Sequence, residues 1–145
     1  MARRPRSEIV ELVRSVPLFS GLTKSDMREI GKLCFEQSFE PEQVILKQLE
    51  EAQLMVAILS GKARIVKDGK TITTVGPGDA IGEMSLIDGR RRSASVVAET
   101  PVECVVIHRT TFTKLLDSSP SIARKLLISQ TERLRDTNNK LAALG

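Results

Sequence analysis

The spacing of hydrophobic residues changes along the chain, and its first part has the spacing of helices. Within residues 7–34, apolar side chains recur at intervals that place them on one helical face. This pattern predicts one helix over residues 7–16, with Ser7 as its N-cap. It predicts a second helix over residues 24–33, with Thr23 as its N-cap. We therefore expect two short helices before any strand.

The middle of the chain, residues 35–108, carries short apolar or alternating runs that are typical of β-strands. Glycine and proline separate the runs, and Asp68-Gly69 between two of them is a strong hairpin signal. Many short strands at a spacing of roughly ten residues favour an antiparallel sandwich or roll. Strands are predicted over Val44–Leu46, Leu54–Leu59, Ala63–Val66, Thr71–Val75, Ser95–Ala98 and Val102–Ile107.

Helical spacing returns near the C-terminus. Thr110 or Thr111 is predicted to cap a short helix over residues 112–116. Ser119 is predicted as an N-cap followed by proline at the first helical position, and a long helix is predicted from about Ser121 to Leu144, or about 24 residues and 36 Å.

The predicted long helix carries leucines seven positions apart, at Leu127, Leu134 and Leu141. This spacing fits a coiled-coil seam between two copies of the chain. It fits equally well a terminal helix that lies on its own sheet. The helix is longer than one small roll needs, which favours a homodimer.

Composition limits the fold to one domain. The 145 residues are 41% hydrophobic and 28% charged, which suits a single globular domain with a core. With four Phe and neither Trp nor Tyr, that core must be aliphatic. The predicted fold class is α+β: an antiparallel β-roll of the jelly-roll (double-stranded β-helix) type, flanked by N-terminal helices and a long C-terminal helix.

Charge and cysteine content exclude several functions. The net charge is +4, but no aromatic residues are interleaved with the arginines, so no nucleic acid partner is expected. Cys34, Cys104 and the lone His108 form no C-x-x-C or ligand cluster, so we expect buried thiols in a reducing compartment and no metal. No apolar run has the length of a membrane span and no signal peptide is evident, so a cytoplasmic location is expected.

The segment over residues 82–94 carries the candidate chemistry. After Gly82, a short helical turn would direct unpaired backbone N–H groups at a ligand, and Arg92 follows within reach. This combination suits a phosphate, and Glu83 would accept a hydrogen bond from a sugar hydroxyl. Phosphate and sugar on one ligand suggest a nucleotide. The alternative is a solvated arginine loop beside a common Gly-Glu dipeptide.

The sequence G-E-M-S-L-I-D-G-R-R-R-S-A-S-V over residues 82–96 resembles the phosphate-binding cassette of the cyclic-nucleotide-binding domain family, which has G-E-[LM]-x-L followed by R-[ST/A]-A. This family includes catabolite activators, protein kinase A regulatory subunits and cyclic-nucleotide-gated channels. Further matches are Pro17-Leu18-Phe19, Ile58-Leu59-x-Gly61 and Gly76-x-Gly78-Asp79. The resemblance implies a single domain over residues 1–145, made of N-terminal helices (7–34), a roll (35–108) with the cassette (82–94), and C-terminal helices (110–144).

The resemblance also implies a ligand and its contacts. The ligand would be a 3′,5′-cyclic nucleotide, cAMP more than cGMP. Glu83 would bind the ribose 2′-hydroxyl, and Arg92 and Ser93 would bind the phosphate. Arg92 is preferred over its two neighbours in the arginine run because it directly precedes the Ser-Ala pair. The implied cassette contacts are Gly82, Glu83, Met84, Ser85, Arg92, Ser93 and Ala94.

The end of the long helix resembles the dimer helix of catabolite activators where that helix contacts adenine. Thr137 would contact the amino group of the base, and Asn138 would reach it from the partner chain. These residues also interrupt the leucine seam, and polar seam residues alone can set the register of a coiled coil. Both interpretations stay open.

Two departures from the family pattern support a second hypothesis. The turn over residues 49–53 lacks the usual glycine and aspartate, which indicates a longer or helical turn. Ala80-Ile81 stands where an aromatic residue is common, so no ring is expected to stack on the base. The chain could then be a protein-interaction scaffold without nucleotide affinity. It could also be the sensor fragment of a larger regulator or channel. No acid–base pair or nucleophile is indicated, so no catalytic residue is predicted.

Overall fold

A computed structural model describes residues 5–16, 19, 23–125, 127–128, 131–132, 135 and 139. The helices are α1 (Arg6–Ser15), α2 (Lys24–Leu33), α3 (Glu83–Asp88) and α4 (Arg109–Ser118). The strands are β1 (Phe35–Phe39), β2 (Val44–Leu46), β3 (Leu54–Ser60), β4 (Ala63–Lys67), β5 (Lys70–Val75), β6 (Ala80–Ile81), β7 (Ser95–Ala98) and β8 (Val102–His108). Helical residues resume at 120 and are described at positions up to 139.

The strands form two four-stranded antiparallel sheets. The inner sheet has the order β1-β8-β3-β6, and the outer sheet has the order β2-β7-β4-β5. Asp68 and Gly69, with φ of 52° and 79°, form the turn of the β4–β5 hairpin. The predicted antiparallel roll and its hairpin are therefore confirmed. Strands β1 and β6 were not predicted, because β1 has little apolar alternation and β6 has only two residues.

The two central strands of the inner sheet, β3 and β8, are buried on both faces. Met55 and Ala57 of β3 pack against the helices, while the alternate residues Val56 and Ile58 face the outer sheet. This two-sided burial explains why β3 is an almost continuous apolar run instead of an alternating one. The outer sheet buries one face, and β5 at its edge is exposed over most of its length.

Helical segments from before and after the roll pack together on one face of the inner sheet. Phe19, Phe112 of α4 and Ile122 of the C-terminal segment are fully buried in the same cluster. The N-cap prediction for α2 is confirmed: the Asp26 N–H donates to Thr23 Oγ1 at 3.1 Å, and the Thr23 N–H donates to Asp26 Oδ2 at 3.4 Å. This reciprocal arrangement satisfies two donors at the start of the helix.

Two other predicted N-caps are wrong. Ser7 lies inside α1, which begins at Arg6, because the Pro5 carbonyl accepts the N–H groups of Glu8 and Ile9. No side chain is then needed to begin the helix.

Likewise, Thr110 and Thr111 lie within α4 and do not cap it, since strand β8 continues directly into the helix at Arg109. The Arg109 N–H donates to the Gln53 carbonyl at 2.8 Å. A backbone acceptor thus satisfies a donor at the start of α4, and the buried Thr111 packs instead.

The C-terminal helix is described in part. Its start at residue 120 agrees with the prediction, and the Ile122 N–H donates to the Ser119 carbonyl at 3.1 Å. Leu127 is 69% exposed, so this seam position does not pack on the domain's own sheet. Leu134, Leu141 and Leu144 lie outside the described residues. Within the described part of the chain, no helix has the length and apolarity that crossing a bilayer requires.

Candidate functional site

Helix α3 is bounded by two glycines in the left-handed region. Gly82 precedes it with φ of 91°, and Gly89 follows it with φ of 71°. The Gly89 N–H donates to the Ser85 carbonyl at 3.1 Å, which closes the last turn. Because side chains are strained at such φ values, glycine at both ends lets six helical residues fit between β6 and β7.

The Arg92 guanidinium lies beside Gly82. A Cβ atom on Gly82 would be 2.6 Å from Nη1 of Arg92, so only glycine leaves room for this approach. Arg92 is 5% exposed, and its Nη2 donates to the Leu54 carbonyl at 2.5 Å. The predicted convergence of the turn after Gly82 with the guanidinium ten residues later is therefore present.

The turn after β2 holds the Arg92 backbone on both sides. The Arg92 N–H donates to the Glu50 carbonyl at 3.0 Å, and the Leu49 N–H donates to the Arg92 carbonyl at 2.8 Å. This turn is not helical, and Leu49 adopts φ of 71° without being glycine. The turn therefore contacts Arg92 without a glycine at its left-handed position.

Arg92 carries a buried positive charge. Burial lowers the pKa of Arg92 below its ordinary value, and the attraction of Glu50 partly opposes this effect. Its Nη2 donates to a neutral acceptor, the Leu54 carbonyl. A buried cation whose described side-chain hydrogen bond goes to a neutral group favours an anion in the space next to it.

That space is a cavity of about 460 Å³. Its size falls within the roughly 300–1,000 Å³ that is common for small-molecule sites. The cavity is lined by Leu46, Ile65, Thr73, Thr74, Val75, Asp79, Ala80, Ile81, Gly82, Glu83, Ser85, Arg92, Ser93, Ala94 and Val96. None of these residues is aromatic, as expected from Ala80-Ile81.

The structure brings most of the sequence-predicted site residues to this one cavity. Six of them line it: Gly82, Glu83, Ser85, Arg92, Ser93 and Ala94. Glu83 is buried in the first turn of α3, so a carboxylate and a guanidinium share the cavity. Met84 belongs to α3, but its side chain lies outside the described part. Thr137 and Asn138 lie outside the described residues.

Sequence reasoning missed the opposite wall, which comes from the outer sheet. Thr73, Thr74 and Val75 of β5 line the cavity together with Leu46 and Ile65 from β2 and β4. No local motif marks these residues, because they reach the cavity only through strand pairing. The alternation of β5 was the one available signal, and it does not say which face meets a ligand.

The expectations for thiols and metals concern other parts of the fold. Cys34 and Cys104 are both buried, and neither forms a disulfide. Burial raises the pKa of the Cys104 thiol to about 12, so it stays protonated and inert at neutral pH. In the part of the chain that the structure describes, no group of His, Cys, Asp and Glu side chains could hold a metal ion.

The fold is a β-roll, and the buried Arg92 guanidinium lies at one end of its cavity. The sequence model of the family described as "Cyclic nucleotide-binding domain" matches residues 36–119. The chain belongs to the cyclic nucleotide-binding domain family.

Individual relatives agree with this assignment. The chain is 30% identical over 139 residues to the cyclic AMP receptor protein of Thermus thermophilus, covering 92% of this chain and 64% of that protein. A cyclic nucleotide-binding domain from Methylobacillus flagellatus has a TM-score of 0.73 at 30% identity, with 97% and 84% of the two chains covered. A mutant regulatory subunit of a cAMP-independent protein kinase A from Trypanosoma brucei, bound to cAMP in its A site, has a TM-score of 0.79 at 27% identity, with 94% and 51% covered. The chain spans less than two thirds of the length of the curated relatives that it matches.

Proposed function

We propose that this chain is a regulatory module that binds a 3′,5′-cyclic nucleotide in the cavity beside Arg92. One observation carries the proposal: the buried Arg92 guanidinium lies against Gly82 at the start of α3, on the wall of a cavity of about 460 Å³. The Arg92 guanidinium and the backbone N–H groups of α3 together suit the negatively charged phosphodiester. The N–H groups of so short a helix would not bind it without the cation.

The other cassette residues take complementary roles. Glu83 lies on the same wall and would accept a hydrogen bond from the ribose 2′-hydroxyl. Ser93 would donate its hydroxyl to the phosphate, and Ser85 and Ala94 would shape the cavity around it. All these groups recognise a ligand, and none forms a catalytic pair, so we infer binding without catalysis.

We propose cAMP as the preferred ligand. The Thermus relative is named a cyclic AMP receptor protein, and the similar Trypanosoma structure is bound to cAMP. Thr137, and Asn138 from a partner chain, would contact the base in this proposal. The C-terminal helix would then connect the ligand to a second copy of the chain.

The exposed apolar residues of the C-terminal helix support that dimer. Leu127 is 69% exposed and Ile128 is 48% exposed. Ile122, at the start of the same helix, is fully buried in the domain core. A helix that is rooted in the core and apolar beyond it can transmit a ligand-dependent shift, provided that the ligand binds one state more tightly than the other.

The decisive experiment is a calorimetric titration with cAMP, cGMP and linear 5′-AMP. We expect cAMP to bind more tightly than cGMP, and 5′-AMP to bind most weakly. Each charge-assisted hydrogen bond contributes about 1.5–3 kcal/mol, so losing two of them costs roughly 100-fold or more in affinity. We therefore expect Arg92→Gln to reduce cAMP affinity by about that factor.

Arg90→Gln is the matched control, because Arg90 belongs to the same arginine run but is exposed and does not line the cavity. It should keep the affinity of the parent protein. Equal affinity of Arg92→Gln and the parent would refute the assignment. Light scattering before and after cAMP addition tests the dimer.

The second candidate function is a protein-interaction scaffold on this fold. It is favoured by the strained Leu49 turn, by the absence of an aromatic ring among the described cavity residues, and by the similar Trypanosoma subunit, whose kinase is described as cAMP-independent. Absence of binding heat and of a thermal shift at millimolar cAMP and cGMP would favour the scaffold.

A further inference from the structure

Ser93 combines solvent exposure with a place on the cavity wall. It is exposed, and it lines the same cavity as the buried Arg92 that directly precedes it. Both residues line one cavity, so a group attached to the Ser93 hydroxyl would share that cavity with the Arg92 side chain.

The residues before Ser93 have the charge pattern of a kinase substrate, although docking as an extended segment requires the two backbone hydrogen bonds of Arg92 with Leu49 and Glu50 to open. Residues 89–94 form an irregular segment between α3 and β7. Arg90 and Arg91 precede Ser93 by three and two positions, and both are exposed. Protein kinases with acidic substrate grooves bind extended segments that place arginines at these distances before the acceptor serine, because carboxylates pair well with guanidinium groups.

The present contacts of Arg91 do not prevent such docking. Its Nη1 donates to the Leu49 carbonyl at 3.0 Å, and its Nη2 lies 3.7 Å from Glu51. Both partners are at the surface, where an exposed ion pair contributes little to stability. Carboxylates in a kinase groove can therefore replace the Leu49 carbonyl and Glu51 as partners of Arg91.

We propose that Ser93 is a phosphorylation site for an arginine-directed protein kinase, and that its phosphate occupies the cradle at Arg92 and excludes the cyclic nucleotide. In the reaction, Ser93 Oγ attacks the γ-phosphorus of Mg-ATP. The new bond joins Oγ to phosphorus, the bond between the γ-phosphorus and the β,γ-bridging oxygen breaks, ADP leaves, and the hydroxyl proton passes to a base of the kinase. The regulatory part of this proposal rests on the proposed function.

Charge explains the mutual exclusion. Phosphoserine carries about −1.5 to −2 charge at neutral pH and three strong acceptor oxygens. Arg92 now donates from Nη2 to a neutral carbonyl, that of Leu54, so the phosphate is a stronger partner for it. A second phosphate in the same cavity would be repelled by the first. Bound nucleotide should in turn cover Ser93 and slow its phosphorylation.

Genetic encoding of phosphoserine at position 93 tests the phosphate–arginine contact without a kinase. Phosphoserine at position 25 is the control, since Ser25 is exposed in α2 and no arginine lies two or three positions before it. We expect at least a 100-fold loss of cAMP affinity for the protein modified at Ser93 and no loss for the control. Unchanged affinity at position 93 would overturn the proposal.

Phosphorus NMR measures the contact independently of nucleotide binding. The second pKa of free phosphoserine is about 6. It should be lower at position 93 than at position 25, and the added substitution Arg92→Gln should remove this difference. Equal pKa values at the two positions would refute the phosphate–Arg92 contact, even if the unmodified protein bound no cyclic nucleotide and the proposed function had failed.

The kinase step needs its own test on the unmodified chain. A purified arginine-directed serine kinase with ATP should place phosphate on Ser93, as located by mass spectrometry, and Ser93→Ala should abolish this incorporation. Saturating cAMP should slow the reaction several-fold. Absence of phosphate at Ser93 would refute the modification site, and incorporation that cAMP leaves unchanged would refute the mutual exclusion.

Discussion

The two walls of the cavity differ in how they are built. The cassette wall, residues 82–94, is one contiguous segment with a buried guanidinium and a buried carboxylate, and backbone hydrogen bonds hold it to the turn after β2. The strand wall comes from separate strands and includes Thr73 and Thr74 at an exposed sheet edge. The first wall is held by these hydrogen bonds, and the second is more exposed to solvent. Affinity should therefore depend on the first wall and ligand choice on the second.

The largest effect should come from crowding the cassette wall. Gly82→Ala places a methyl group 2.6 Å from Nη1 of Arg92 and strains a backbone with φ of 91°. We expect a loss of cAMP affinity of tenfold or more, because Arg92 must move. The strain alone should lower the free energy of unfolding by about 1–3 kcal/mol. Calorimetry and thermal unfolding measure the two effects.

Gly78→Ala separates strain from crowding. Gly78 has φ of 90°, but a Cβ atom there would meet nothing within 4 Å. The Gly78→Ala variant should lose about as much free energy of unfolding as Gly82→Ala and should keep the cAMP affinity of the parent protein. If both variants lose affinity equally, the contact between position 82 and Arg92 is not what matters.

A smaller effect should follow from changes in the strand wall. Thr73→Val and Thr74→Val each remove one hydroxyl from a residue that lines the cavity and leave the side-chain volume almost unchanged. We expect affinity changes below about tenfold, since a neutral hydrogen bond contributes about 0.5–1.5 kcal/mol. The ratio of cAMP to cGMP affinity should change more than with Ser85→Ala on the cassette wall. An unchanged ratio would mean that the strand wall does not select the base.

Gln48 links the two walls. Its Nε2 donates to Asp68 Oδ1 at 2.9 Å, and the Asp68 N–H donates to its Oε1 at 3.1 Å, so it joins the turn that holds Arg92 to the β4–β5 hairpin. Gln48→Ala should speed amide exchange in the hairpin and weaken cAMP binding about two- to fivefold. Gln43→Ala, on the loop before β2, is the control. Unaltered exchange would show that the hairpin holds its place without this link.

The smallest effect concerns the strained turn. Leu49 is 66% exposed at φ of 71°, so Leu49→Gly should relieve strain and remove almost no packing. We expect a gain of about 0.5–1 kcal/mol in the free energy of unfolding, seen as a higher melting temperature. Leu49→Ala removes the same side chain but keeps a Cβ, so it should show no such gain. Lower stability of the glycine variant would mean that the leucine side chain contributes packing.

Local sequence signals succeeded where the partners are close in the chain. Thr23 caps α2 through Asp26, three residues away, and Asp68-Gly69 forms its hairpin. The same reasoning failed at Ser7 and at Thr110 or Thr111, where backbone carbonyls take the place of a side-chain cap. One of these carbonyls belongs to Gln53, which is distant in sequence, so no local pattern could have indicated it.

Sequence alone determined the cassette, because a tight glycine turn, a short helix and an arginine ten residues later are short-range geometry. It also determined β3 and β8 of the inner sheet, because burial on both faces leaves a continuous apolar run. Only the tertiary structure decided that Arg92 is buried against Leu54, that Leu49 and Glu50 hold its backbone, and that Thr73 and Thr74 line the same cavity. Those contacts depend on which strands pair and on the closure of the roll, and many side-chain patterns are compatible with more than one pairing.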